Sequence, residues 1–173
     1  MLTVGQPVPQ YVGEALLPNG EFSPINLSDY QGKWLILFFY PLDFTFVCPT
    51  EIRGFNQLHD QFKKLNAAVL GASVDSVHCH KAWTEHGLGK IAFPLIGDLT
   101  RELAQACGVL SQEGSAHRAT FVVNPEGVIE SVTVNSSNAG RSTEETLRTL
   151  QALQAGGLAP CGWQPGQALL QED

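Results

Sequence analysis

The sequence predicts an α/β domain, a mixed central sheet flanked by helices, and three observations carry that expectation. Trp34–Tyr40 and Ala67–Ser73 are continuous runs of strand length with the apolar character of strands buried on both faces. Between them Phe55, Leu58, Phe62 and Leu65 recur at three- and four-residue spacing, the pattern of an amphipathic helix. Later, Ala119–Val123 and Val128–Val134 flank Asn124-Pro125-Glu126-Gly127, where Pro and Gly stand at favoured turn positions, so the two runs form a hairpin. Strands alternating with helices and then a hairpin call for a sheet that is parallel in part and antiparallel in part.

In chain order, Pro18-Asn19-Gly20 separates Val12–Leu17 from Glu21–Ile25, and Asn-Gly between apolar runs signals an N-terminal hairpin. Pro41 ends the first buried strand, and a helix begins near Cys48. After the second strand a helical stretch runs from about Ser76 to His86, followed by a short strand at Leu95–Gly97 and a helix over Arg101–Cys107. Ser142-Thr143-Glu144-Glu145 is a capping-box pattern opening a last helix with the stripe Leu147, Leu150 and Leu153, and Gly156-Gly157 closes it. Residues 158–173, rich in Gly, Pro and Gln, read as a C-terminal arm attached to a single domain over residues 1–157.

Bulk composition narrows the function classes. A hydrophobic fraction of 43% against 16% charged residues is that of a globular chain, not a disordered one. A net charge of −7 disfavours nucleic acid or an anionic membrane as partner, because both need concentrated Lys and Arg. The N-terminus has neither the basic nor the apolar region of a signal peptide, and the longest apolar run is far short of the ~18 residues of a membrane span. The expected location is cytoplasmic, where structural disulfides are rare. The four cysteines, 48, 79, 107 and 161, contain no C-x-x-C, so neither a zinc ribbon nor a dithiol motif is present. His78-Cys79-His80 carries ligand types, but adjacent helical residues point apart and chelate poorly. Nothing implies a bound metal, haem, flavin or nucleotide.

Cys48 stands where an apolar strand gives way, through a short loop, to a helix. A cysteine in a first helical turn sits at the positive end of the macrodipole among unpaired backbone N–H groups, and both favour a thiolate. Pro49 suits the same turn because it has no N–H to leave unpaired. A cysteine after an apolar strand is equally at home as a small buried hydrophobe. Placement alone leaves both readings open.

The longer string Phe39-Tyr40-Pro41-Leu42-Asp43-Phe44-Thr45-Phe46-Val47-Cys48-Pro49-Thr50-Glu51 resembles the active-site loop of typical two-cysteine peroxiredoxins, with Pro41, Thr45 and Cys48 meeting the family's Pro-x-x-x-Thr-x-x-Cys. Asp75–Trp83, Phe93–Asp98, Arg118–Pro125, Gly140-Arg141-Ser142 and Cys161-Gly162-Trp163 resemble further family landmarks in order, so the likeness spans about residues 3–167. The resemblance implies a thioredoxin-like fold and a thiol peroxidase acting on hydrogen peroxide and alkyl hydroperoxides. It makes Cys48 the peroxidatic cysteine, with Arg118 polarising the peroxide, Thr45 orienting it and Pro41 shielding the site. Glu51 and Arg141 are candidates for holding Arg118 in place, although Glu51 alone could simply complement the helix dipole.

By the same resemblance Cys161 is the resolving cysteine, paired with Cys48 of a neighbouring subunit in a homodimer, with rings of five dimers common in the family. Thioredoxin or a flavoprotein disulfide reductase would be the electron donor. A one-cysteine peroxidase reduced by an external thiol, and an oligomeric chaperone or redox-signalling protein, are the alternatives. Cys79 and Cys107 match no catalytic landmark and read as partly buried helix-borne thiols. His86-Gly87-Leu88-Gly89 matches only part of the family's Gly-Gly-Leu-Gly loop, and the short stretch after Cys161 lacks a Tyr-Phe pair. A short tail covers the Cys48 helix less, which predicts that disulfide formation competes well with further oxidation of Cys48 to the sulfinic acid.

Overall fold

A computed structural model describes residues 1–171; the last two positions of the expected arm lie outside it. The sheet has seven strands, β1 (Val12–Leu16), β2 (Phe22–Asn26), β3 (Trp34–Phe39), β4 (Ala67–Ser73), β5 (Leu95–Gly97), β6 (Arg118–Val123) and β7 (Ile129–Asn135). Their order is β2-β1-β5-β4-β3-β6-β7. The pairs β3–β4 and β4–β5 are parallel and the others antiparallel, the mixture expected. The N-terminal hairpin extends the main sheet, because β1 pairs with β5 as well as with β2.

Central β3 shows why its sequence is apolar without interruption. Leu35, Leu37 and Phe39 enter one core with Leu70, Ala72 and Phe121, while Ile36, Phe38 and Tyr40 enter the other with Phe55, Phe62 and Leu150. Side chains alternate across a strand, so only a strand covered on both faces needs apolar residues at every position. The second core is the one that carries Cys48.

Helices α1 (Cys48–Lys64), α2 (Val77–Trp83), α3 (Glu102–Ala106) and α4 (Thr143–Gln154) follow the predicted order. The stretch predicted as one helix to His86 is α2 followed by a kinked turn over Thr84–Leu88 whose backbone leaves the helical region at His86 and Gly87, and Gly89 ends it at φ 90°, a left-handed conformation that suits glycine. Half of the predicted capping box forms: Ser142 Oγ accepts from the Glu145 N–H at 3.1 Å. The Glu145 carboxylate instead receives both Nε and Nη2 of Arg148, each at 2.6 Å.

Helix α4 lies against α1 because Gly54 has no side chain: a Cβ there would stand 2.8 Å from Thr143 Oγ1 and 2.9 Å from its Cγ2. That close approach brings Arg141, just ahead of α4, beside α1. Gly54→Val is expected to cost about 1–3 kcal/mol by overpacking, read as a lower urea midpoint at unchanged m. An unshifted midpoint would mean that the two helices have room to spare.

The segment expected as an arm folds back over part of its length. Trp163 is buried, Leu158 and Leu170 form an antiparallel bridge, and Arg148 Nη1 donates to the Trp163 carbonyl at 2.9 Å. No helix among the described residues is long and apolar enough to cross a membrane.

Candidate active site

Cys48 is the first residue of α1 and is fully buried. Glu51 lies three residues on, which on a helix places it beside Cys48 on the same face. Arg118 is reached through the sheet. β6 runs antiparallel to β3 with Thr120 opposite Phe38, so Arg118, two residues earlier, stands just beyond the end of β3 from which the Cys48 loop departs. There Arg118 Nη1 donates to Cys48 Sγ at 3.3 Å and to Glu51 Oε2 at 2.6 Å, and Nε donates to the Ser137 carbonyl at 2.9 Å. Its Nη2 has no hydrogen-bond partner among the described residues.

Arg141 completes the frame without touching Arg118. Its backbone N–H and Nε donate to Glu51 Oε1 at 3.0 and 2.8 Å, and Nη2 donates to Glu51 Oε2 at 3.1 Å. The remaining donors go to the carbonyls of Phe39 at 2.6 Å and Ala119 at 2.7 Å and to Thr120 Oγ1 at 3.1 Å. Arg141 therefore ties the end of β3 and the start of β6 to α1, and it reaches Arg118 only through Glu51.

Burial by itself raises the Glu51 carboxyl, but the hydrogen bonds and charge of Arg141, then the charge of Arg118, outweigh it and hold the group below its ordinary value. For Arg118, burial acts to lower, and the hydrogen bond to Cys48 with the charge of Glu51 overrides it. Both partners stay ionised. Two guanidinium cations against one carboxylate leave one positive charge over, and it adjoins the sulfur.

Pro41 and Thr45 lie half-buried on the loop before Cys48, where Phe44 takes a left-handed φ of 54°. Thr45 Oγ1 donates to the Leu42 carbonyl at 2.9 Å, so its proton is committed and its lone pairs are left as acceptors. Cys161 is exposed on the turn Pro160–Trp163, away from this network, and all four cysteines are free.

A second network fixes the base of the loop, and residue types alone did not assign it a role. Asp43 accepts from Tyr40 Oη at 2.9 Å and pairs with His80 Nδ1 at 2.7 Å, while His80 Nε2 bonds the Ile96 carbonyl at 3.0 Å. The Asp43 N–H donates to Asp75 Oδ2 at 2.9 Å. All of Tyr40, Asp43 and His80 are buried. In the sequence, Tyr40 and Asp43 fall within the Phe39–Glu51 string and Asp75 and His80 within the Asp75–Trp83 landmark, but neither resemblance gives them a role. Of the three adjacent ligand types at 78–80, only His80 points inward; His78 is exposed and Cys79 half-buried, so they do not converge.

Cys79 and Cys107 face charges of the opposite sign. Burial and the charges of Asp43 and Asp75 push the Cys79 thiol up to about 12. Cys107, expected to be partly buried, is fully enclosed, and burial with the charge of Asp98 takes it to about 12 as well. Anions face these two thiols, whereas an arginine faces Cys48.

A buried cysteine at a helix start, bonded to a guanidinium that is itself held by a carboxylate, has the electropositive setting that suits a reactive thiol. The AhpC/TSA family matches residues 4–132. Peroxiredoxin-1 of Gallus gallus is 44% identical over 98% of this chain and 90% of its own length, and the chloroplastic 2-Cys peroxiredoxin BAS1 of Spinacia oleracea is 48% identical over 98% and 68%. Among solved structures, reduced 2-Cys peroxiredoxin of Plasmodium vivax superposes with a TM-score of 0.94 at 35% identity, covering 97% of this chain and 92% of that one. Mycobacterium tuberculosis AhpC gives 0.83 at 41%, covering 89% and 99%. The chain belongs to the AhpC/TSA family. By this homology it is a peroxiredoxin-type thiol peroxidase of the two-cysteine class with a thioredoxin-like fold.

Proposed function

We propose that the chain reduces hydrogen peroxide and alkyl hydroperoxides through a Cys48 sulfenic acid and an intersubunit Cys48–Cys161 disulfide. The observation that carries this reading is the 3.3 Å bond from Arg118 Nη1 to Cys48 Sγ. An ionised sulfur is the anion that the surplus positive charge calls for. The thiolate attacks the terminal peroxide oxygen, an S–O bond forms as the O–O bond breaks, and the departing oxygen leaves as water or alcohol after taking up a proton. Arg118 Nη2 is the donor left for the peroxide, and Thr45 Oγ1 is an acceptor for its O–H. Pro41 limits water on the loop side. The thiol of Cys161 from a second copy then displaces water from the sulfenic acid, and a dithiol donor, thioredoxin or a flavoprotein disulfide reductase, restores both thiols.

Surface features support assembly. β7 is an edge strand: the N-terminal segment bonds its outer backbone at Ile129, through Gly5 and Gln6, and beyond that no strand pairs with it among the described residues, which suits a homodimer joined strand to strand. Phe44 and Phe46 are 56% and 95% exposed on the Cys48 loop, an apolar pair that suits a second contact and hence a ring of dimers. Free cysteines throughout fit a cytoplasmic location.

The test is non-reducing electrophoresis after one equivalent of hydrogen peroxide. The wild type is expected to run as a linked dimer, and Cys48→Ser and Cys161→Ser as monomers. Peroxide consumption by Cys161→Ser with an external thiol, at the wild-type steady-state rate, would instead favour the one-cysteine cycle. Oxidation of Cys48 no faster than that of free cysteine would favour a client-binding role.

A further inference from the structure

The turn that carries Cys161 is held at its base. Trp163 N–H donates to the Pro160 carbonyl at 3.0 Å, and Gly162 takes φ 69°, so Cys161 and Gly162 are the two central residues of a tight turn with the thiol at its exposed tip. Below the tip, Trp163 is 6% exposed and its Nε1 donates to the Gln167 carbonyl at 3.0 Å. Among the described residues, the one hydrogen bond that ties the turn to helix α4 is Arg148 Nη1 to the Trp163 carbonyl at 2.9 Å. Glu145, one turn back on α4, aims that nitrogen by engaging Nε and Nη2 of the same guanidinium as a fork.

Exposed ion pairs contribute little to stability on their own, and Glu145 is more than half exposed. Here the pair orients a third bond, to a carbonyl of the Cys161 turn. Disulfide formation needs Cα atoms within about 7 Å, and Cys48 is fully buried on a helix distant from this turn in the chain. A turn fastened to its own α4 has to detach before its sulfur can enter a partner's Cys48 site.

We infer that Arg148 is a positioning residue for the resolving step: with Glu145 it clamps the Pro160–Trp163 turn to α4, and release of this clamp governs how fast Cys161 reaches the Cys48 sulfenic acid. The inference rests on the peroxidase cycle proposed above. It also qualifies the resistance to overoxidation expected from the short tail, because a slow release gives a second peroxide time to convert Cys48 to the sulfinic acid.

Rapid-quench mass spectrometry of the reduced full-length protein with hydrogen peroxide separates the two steps. In Arg148→Gln the loss of Cys48 thiol is expected at the wild-type rate. Disulfide formation is expected to be roughly 10-fold faster, on the order of one charge-assisted bond discounted for exposure, and the sulfinic fraction correspondingly lower. Glu145→Gln, which leaves Arg148 in place but unaimed, is expected to fall between, and Arg148→Lys to restore part of the delay. Without peroxide, amide exchange across residues 158–171 is expected to rise in Arg148→Gln and not in Arg148→Lys. Disulfide formation unchanged or slower in Arg148→Gln, or unchanged amide exchange, overturns the clamp while leaving the peroxidase cycle intact. A wild type that consumes peroxide without forming the Cys48–Cys161 disulfide overturns the cycle itself, and the clamp with it.

Discussion

Arg118→Met is expected to slow the reaction of Cys48 with hydrogen peroxide by roughly 100- to 1,000-fold, the usual cost of removing one preorganised donor from developing charge. The variant loses both the cation at the sulfur and the Nη2 donor that has no other partner among the described residues. Met keeps the stem volume, so the loss is of charge and hydrogen bonding. Arg118→Lys keeps a point charge but not the planar fork that touches Cys48 and Glu51 from one nitrogen, and an intermediate rate is expected. Stopped-flow decay of the Cys48 thiol under excess peroxide measures both. A loss smaller than threefold in Arg118→Met would remove Arg118 from the chemistry and leave it a structural role.

Glu51→Ala is expected to destabilise the fold by about 3–5 kcal/mol, because it leaves two buried guanidinium groups without their anion. Glu51→Gln keeps an oxygen acceptor and most of the shape, and a smaller loss is expected. Acid sensitivity separates the charge from the shape. The Glu51 carboxyl is held below its ordinary value in the folded protein, so the unfolded chain binds its proton first as pH falls. Its contribution is fully present above the ordinary glutamate value and is lost as pH falls through the depressed folded value. Urea midpoints of the wild type followed below about pH 5 are expected to fall more steeply than those of Glu51→Gln. Parallel curves would show that Glu51 acts by packing and not as an anion.

Much of this architecture is written in short-range patterns. β4 falls on the run Ala67–Ser73 that the composition marks, and β3 falls one residue short of its run, which ends at Tyr40. Cys48 is where the strand–loop–helix reading places it, at the start of α1. The N-terminal hairpin and the β6–β7 hairpin follow from Asn19-Gly20 and Pro125-Glu126-Gly127. The kink after α2 is not legible, because a helical spacing of apolar residues does not register a break of two residues, His86 and Gly87, over so short a stretch.

What the sequence by itself determined is the inventory: a cysteine at a helix start, the loop Pro41–Val47 before it, arginines at the ends of two elements, and a second cysteine in a Gly- and Pro-rich segment. Each of these depends on residues a few positions apart, and local backbone geometry suffices to place them. Only the tertiary structure decided which charges meet. Glu51 is shared by Arg118 and Arg141, 67 and 90 positions away, because the β3–β6 register and the gap at Gly54 bring three elements to one point. The same long-range packing sets anions against Cys79 and Cys107, and it fastens Cys161, which composition alone reads as part of a free arm, to Arg148. Spacing along the chain carries no information about such meetings, since they depend on how separate elements stack and not on the period within any one of them.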